Sequence, residues 1–220
     1  AQYPLFDPAL LKIRLFVLPV ISSAILFAAL FVVIFLMPFF LTYPCGLSAA
    51  WTGLLMIAPF LFLLVVSPFA GKFYDHYGSR GICMSGMALV FFSLVSLSGL
   101  TAEQGIFQIL WRMMAAGLGT ALFVSPNNTT AMTSVPVHRR GTASGAVATS
   151  RNLGMVMGVA MAGLVFTTRF SKLTGGATLE SYDSYMEPAF MAGFQAAMLT
   201  GAGIAFAGLI VTWARGKEVF

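Results

Sequence analysis

The sequence predicts an all-α integral membrane protein with six transmembrane helices. Three observations carry that prediction. The 220 residues are 59% hydrophobic and only 9% charged, against the roughly 25% charged residues of a soluble domain. Apolar runs of about 20 residues, the length a helix needs to cross a bilayer, recur six times, at 16–41, 49–70, 82–100, 105–125, 144–168 and 189–213. None shows the short strict alternation of a barrel strand, and none carries the polar face that a helix on a water-soluble core would need.

Residues 1–15 form a mixed, amphipathic cytoplasmic lead-in. The first apolar run starts too late and is too long for a cleavable signal, and the chain opens on Ala1 rather than Met, as expected of a fragment or a trimmed chain. The first span carries Pro19 and Pro38, with Ser22 and Ser23 among apolar neighbours; the second carries Pro59 and Pro68. Prolines free backbone carbonyls and bend membrane helices, although they are also simply commoner there. Between the second and third spans lies the charged stretch 71–80, Gly-Lys-Phe-Tyr-Asp-His-Tyr-Gly-Ser-Arg. Asp75 is expected at the water interface, because a carboxylate inside the bilayer is costly, and Gly71 and Gly78 allow a tight turn and close helix approach. An ordinary polar turn between two helices would satisfy the same residues. The third span, with Ser85, Ser93, Ser96 and Ser98, is read as a packing element.

The fourth span holds Arg112 near one face. Gln108 stands one turn away, placed to hydrogen-bond with it, and an intramembrane arginine either faces protein and water or snorkels to the headgroups. Gly117 and Gly119 follow. Pro126 should end or kink this helix, leaving Asn127 and Asn128 to satisfy the freed carbonyls. In the fifth span, Arg151 and Asn152 lie about two turns inside on a helix otherwise free of charge, so Arg151 should point to a cavity or an acidic partner. Small residues recur every fourth position in the fifth span (Ala146, Ser150, Gly154, Gly158, Ala162) and in the sixth (Gly193, Ala197, Gly201, Ala205). Such ladders let membrane helices cross closely. The stretch 169–187 reads as a polar outer loop, and 215–220 as a cytoplasmic tail.

Charge placement sets the orientation. Lys12, Arg14, Lys72, Arg80, Arg139, Arg140, Arg215 and Lys217 fall on one side; Arg169 and Lys172 fall on the other, with Glu103, Glu180, Asp183 and Glu187. Basic short loops stay in the cytoplasm, so both chain ends should be cytoplasmic. This asymmetry accounts for the net charge of +5, and no nucleic-acid partner is needed. Cys45 and Cys83 fall at opposite faces, too far apart to bridge. His76 and His138 lack ligand spacing, so no metal is expected. No catalytic triad order, phosphate-binding loop or carboxylate pair occurs, which removes an enzyme and its cofactors from consideration.

Two motifs resemble a known family. Gly-x-x-x-Asp-x-x-Gly-x-Arg at Gly71, Asp75, Gly78 and Arg80 is similar to the signature loop of major facilitator transporters. Residues 125–158 (Ser125-Pro126-Asn127-Asn128, Val135-Pro136, Arg139-Arg140-Gly141, Ala143-Ser144-Gly145, Arg151-Asn152-Leu153-Gly154) resemble the penultimate loop and span of the multidrug-resistance protein B type of drug:proton antiporter. Arg112, Gly117 and Gly119 resemble the family's fourth-span signature at a spacing one residue too long. The resemblance implies the carboxy-terminal six-span half of a longer transporter in the plasma (inner) membrane. Its partners would be a missing amino-terminal half or companion subunit and the bilayer. It implies proton-driven export of amphipathic small molecules, cationic ones included, with Asp75 and Arg80 in a gating role. Gln108, Arg112, Asn127, Asn128, Arg151 and Asn152 would be candidates for a polar cavity. Proton-coupled uptake, lipid or metabolite export by the same fold, and a six-span assembly subunit without transport are the alternatives. No acid lies within the six spans, so a proton-carrying carboxylate is expected in the absent half.

Overall fold

The computed structural model describes Leu10 and residues 12–215, without the side chains of 67–77. Most of the expected lead-in, and all of the expected tail except Arg215, therefore lie outside the described residues, as do the side chains of Asp75 and Lys72. Five long helices make up the described chain: α1 (Arg14–Thr42), α2 (Ala49–Ser98), α3 (Ile106–Thr133), α4 (Arg140–Thr174) and α5 (Glu187–Trp213). They contain six segments long and apolar enough to cross a membrane, because α2 holds two.

The difference lies at 71–80. The backbone is helical on both sides of Gly78, which alone departs from helical geometry at φ 71° and ψ 163°. That conformation is open to glycine and strained for any residue with a Cβ. The chain folds back there: Pro59 and Gly86 pack against Gly117 and Gly119 of α3, although a straight helix would hold them about 40 Å apart. One glycine thus does the work expected of a ten-residue hinge.

The other helices outrun their apolar stretches. Helix α3 continues through Pro126 to Thr133 instead of ending near residue 125. The missing Pro126 N–H forfeits only the bond to the Leu122 carbonyl, and beyond it the hydroxyls of Thr130 and Thr129 donate to the Pro126 and Ser125 carbonyls at 3.1 and 3.2 Å. Helix α4 begins at Arg140 and ends where Gly175 adopts a left-handed φ of 69°, its N–H bonded to the Ser171 carbonyl.

Helix α1 is the axis of the bundle, buried along most of its length and touching each of the other four. Close approach is possible because side chains are missing where backbones meet. A Cβ on Gly154 or Gly158 of α4 would overlap the carbonyls of Ala24 and Ala28 of α1, and one on Gly86 would stand 2.6 Å from the Gly119 oxygen. Gly193 packs on Phe166, and Gly201 on Leu94 and Val32. At the far end an aromatic cluster closes α1 against α4 and α5, with Phe40–Phe194 centroids 4.9 Å apart and Phe166–Phe190 5.0 Å apart. Much of the phenylalanine content is therefore core: Phe40, Phe123, Phe166, Phe170, Phe190 and Phe194 are fully buried. In contrast, Trp51, Leu54, Ile57, Leu61, Leu64 and Val65 leave the first arm of α2 broadly exposed.

Candidate functional site

The polar groups inside the bundle gather where α1, α3 and α4 meet, in the half nearer the basic end. The foundation is a pair of consecutive carbonyls on α1. Asn127 Nδ2 donates to the Pro19 oxygen at 3.0 Å from α3, and Ser150 Oγ donates to the Val20 oxygen at 2.8 Å from α4. A carbonyl has two lone pairs, so each can accept from a neighbour as well as from its own helix. With α4 seated on α1 by Gly154 and Gly158, Arg151 is carried onto the flank facing α3. There Nη2 donates to Asn128 Oδ1, and the guanidinium carbon stands 5.5 Å from the centroid of the Phe27 ring. The two helices otherwise barely touch, so Arg151 and Asn128 bridge a groove floored by α1. Arg151 Nε and Asn127 Oδ1 are buried without a hydrogen-bond partner.

Several expected relations are rearranged. Asn127 and Asn128 do not serve carbonyls of their own helix; one grips α1 and the other holds Arg151. Asn152 is exposed and stands apart from the cluster, because consecutive residues of a helix point about 100° apart. The Gln108–Arg112 hydrogen bond is absent. Gln108 is exposed and accepts from Trp111 Nε1 at 2.8 Å, whereas Arg112 Nη1 donates to Gln104 Oε1 at 2.8 Å and its guanidinium lies 5.3 Å from the Trp111 centroid. Long helical side chains lean towards the helix amino terminus, and Arg112 sits less than two turns from it, so it reaches the loop before it meets an interior partner. Arg112 and Gln108 thus lie at the opposite end of the bundle from Asn127, Asn128 and Arg151.

Arg80, the last residue of the charged stretch between the arms of α2, meets the end of α5. Gly71 and Asp75 lie where side chains are not described. Arg80 stands 5.8 Å from the Trp213 ring centroid, and Arg14 donates to the Ala214 carbonyl. Arg215 is 2% exposed; its Nη1 reaches Cys83 Sγ at 3.7 Å, and the Cys83 thiol in turn lies 3.7 Å from the Phe123 carbonyl. At the opposite end, Cys45 lies in the α1–α2 connection, where burial and then the nearby Glu187 carboxylate push its thiol up to about 11. Burial, followed by the nearby Glu187 and Asp183, also raises Tyr182. Neither cysteine forms a disulfide.

Sequence reasoning missed three contributors. Ser150 reads as one more small residue, and its hydroxyl matters only once α1 is alongside. Phe27 is one of 21 phenylalanines, with no local mark. Arg215 counts as a loop charge until its burial is seen; a cation immediately after an apolar run is the one available signal. Among the residues whose side chains are described the acids are Glu103, Glu180, Asp183 and Glu187, all in connections or at the start of α5.

Residues 19–219 match the Major Facilitator Superfamily. The chain is 36% identical over 162 residues to the uncharacterized transporter YebQ of Escherichia coli, covering 74% of this chain and 35% of that protein. It is 28% identical to the riboflavin transporter RibZ of Clostridioides difficile over 81% of this chain and 38% of RibZ. It is 30% identical to the multidrug resistance protein Stp of Mycobacterium tuberculosis over 81% of this chain and 32% of Stp. The chain thus spans about a third of the length of these relatives. YebQ and RibZ are named as transporters, and six apolar segments of membrane-crossing length make this a multi-pass membrane protein. The chain belongs to the Major Facilitator Superfamily.

Proposed function

We propose that this chain is the carboxy-terminal six-span part of a proton-coupled exporter of amphipathic small molecules, of the multidrug-resistance protein B type. The observation that carries the reading is the Arg151–Asn128 bridge between α3 and α4 inside a bundle of this family. A guanidinium costs roughly 2.5–3.5 kcal/mol to insert at mid-bilayer, so it is poorly explained as packing and well explained as part of a water-filled path. The 30% identity to a protein named for multidrug resistance supports export.

The remaining roles follow from this reading. Both ends of the chain lie on the cytoplasmic side of the plasma (inner) membrane, by the placement of Arg14, Arg139, Arg140 and Arg215. A second six-span unit faces the groove between α3 and α4, as halves do in such transporters. The proton-carrying carboxylate belongs to that unit. Asp75 and Arg80 gate, with Gly78 as the turn that presents them.

The test is flux in sealed vesicles holding the native protein, with an imposed pH gradient and an amphipathic dye. Export predicts dye movement against the proton flow, towards the more acidic side. Movement with the protons would support uptake. No pH-dependent flux would leave the non-transporting subunit. An Asp75→Asn protein that pumps at the wild-type rate would remove the gating role.

A further inference from the structure

We infer that Arg151 is the receiving site for a carboxylate carried by the transported molecule, so that anionic amphiphiles are its preferred cargo. The inference rests on the transport reading above and adds the chemistry of the substrate.

Arg151 lies about 16 Å, three turns, into α4 from Arg140, deep enough that its charge cannot be dismissed as a surface feature. No carboxylate among the described residues lies in a membrane-spanning segment to neutralise it. Its single hydrogen bond goes to a neutral amide, Asn128 Oδ1, and Nε has no partner. An arginine carries five N–H donors in a rigid planar fork, so most of its bonding capacity is unspent. The site is nevertheless built. Asn128 fixes one arm of the fork, the Phe27 ring lies against it, and both supporting helices are locked to α1 by Asn127, Ser150, Gly154 and Gly158. A fork held in one plane suits a planar carboxylate, which can accept two parallel N–H bonds from it. Phe27 lies beside it, and Met132 and Met155, one helical turn beyond Asn128 and Arg151, are partly buried, so the body of the ligand should be apolar too. An acidic side chain from the facing six-span unit offers the same carboxylate, and the experiment separates the two sources.

The experiment uses the native protein in vesicles with three fluorescent probes: an aromatic carboxylate, its primary amide and a lipophilic cation. The wild type should move the carboxylate at least about fivefold faster than the amide. Arg151→Gln should bring the ratio of carboxylate to amide flux down to near parity, and Arg151→Lys should restore part of that ratio, since it keeps the charge without the fork. Thermal unfolding in detergent confirms that each variant is folded; should Arg151→Gln fail to fold, Arg151→Lys and Asn128→Ala, with the same selective loss, carry the test. Equal loss of all three probes in folded variants would assign Arg151 to an acidic side chain and overturn the proposal. Unchanged selectivity would also overturn it. Wild-type flux of the amide or cation alone would refute the carboxylate while leaving the transport reading intact; flux of none of the three would remove both.

Discussion

Two arginines sit on adjacent helices of this bundle, and the contrast between them is instructive. Arg112 on α3 and Arg151 on α4 are both only half-buried and both stack on an aromatic ring, Trp111 and Phe27 respectively. Arg112 leans out of the bundle to Gln104 in a connection, on a helix turn whose carbonyl is held by Ser93 Oγ at 2.7 Å. Arg151 leans across a groove to Asn128 on another helix. The same side chain therefore either reaches the edge of the membrane or stays inside it. What decides is distance to the helix end and the presence of an interior partner. An arginine within two turns of its amino terminus can pay little by snorkelling; one three turns in has nowhere to go.

The contrast can be broken most severely at its foundation. Gly158→Val would force a side chain into the Ala28 carbonyl and push α4 off α1, at about 3 kcal/mol, the upper part of the overpacking range. Thermal unfolding in detergent should show a large drop, whereas Gly163→Ala, whose added Cβ would meet Phe35 at an ordinary 3.7 Å, should be near neutral. Next in size is the paired substitution of the arginines. Arg151→Met should lower carboxylate flux about tenfold and Arg112→Met less than about twofold, because only the former removes an interior cation. Equal losses would mean that the two arginines do the same job. Smaller still are Asn127→Ala and Ser150→Ala. Each deletes one interhelical hydrogen bond worth about 0.6 kcal/mol in membrane proteins, and each should lower the unfolding midpoint modestly; the double variant should lower carboxylate flux as well, by loosening the frame around Arg151.

The smallest effect sharpens the orientation of the two ends. The Cys45 thiol, raised to about 11 from 9.0, should react slowly with an impermeant maleimide at neutral pH and faster as pH climbs towards 11. The sign follows from the causes: burial and the Glu187 carboxylate both disfavour the thiolate, so Cys45 favours the folded state below pH 9 and loses that contribution as pH rises from 9 towards 11. Labelling from outside intact cells would place the Glu103, Glu180 and Glu187 end outwards; labelling only after permeabilisation would reverse the proposed orientation. Cys83, buried in α2, should label in neither case.

Six spans were legible because lipid leaves the backbone little choice. A run of some twenty apolar residues must be helical, since no water is there to satisfy its amides, and this conclusion needs no neighbour. The basic and acidic ends were legible for a similar reason, as charges cluster where water is. The small-residue positions of α4 and α5 were visible as a spacing. What faced what was not. Gln108 stands one turn from Arg112 and still bonds Trp111, because the direction of an arginine depends on how far its helix extends and on what the preceding loop offers. Pro126 reads as a helix end, but one missing N–H does not stop the helix, which runs on to Thr133 with Asn127 held against α1. Asn127, Asn128, Ser150 and Arg151 form one cluster only because α1 brings the Pro19 and Val20 carbonyls between them, from more than 100 residues away in sequence. The sequence by itself determined which segments enter the membrane, through the cost of dry backbone and dry charge. Only the tertiary structure decided which polar side chains meet there, since a hydrogen bond between helices depends on register and rotation that no single helix encodes.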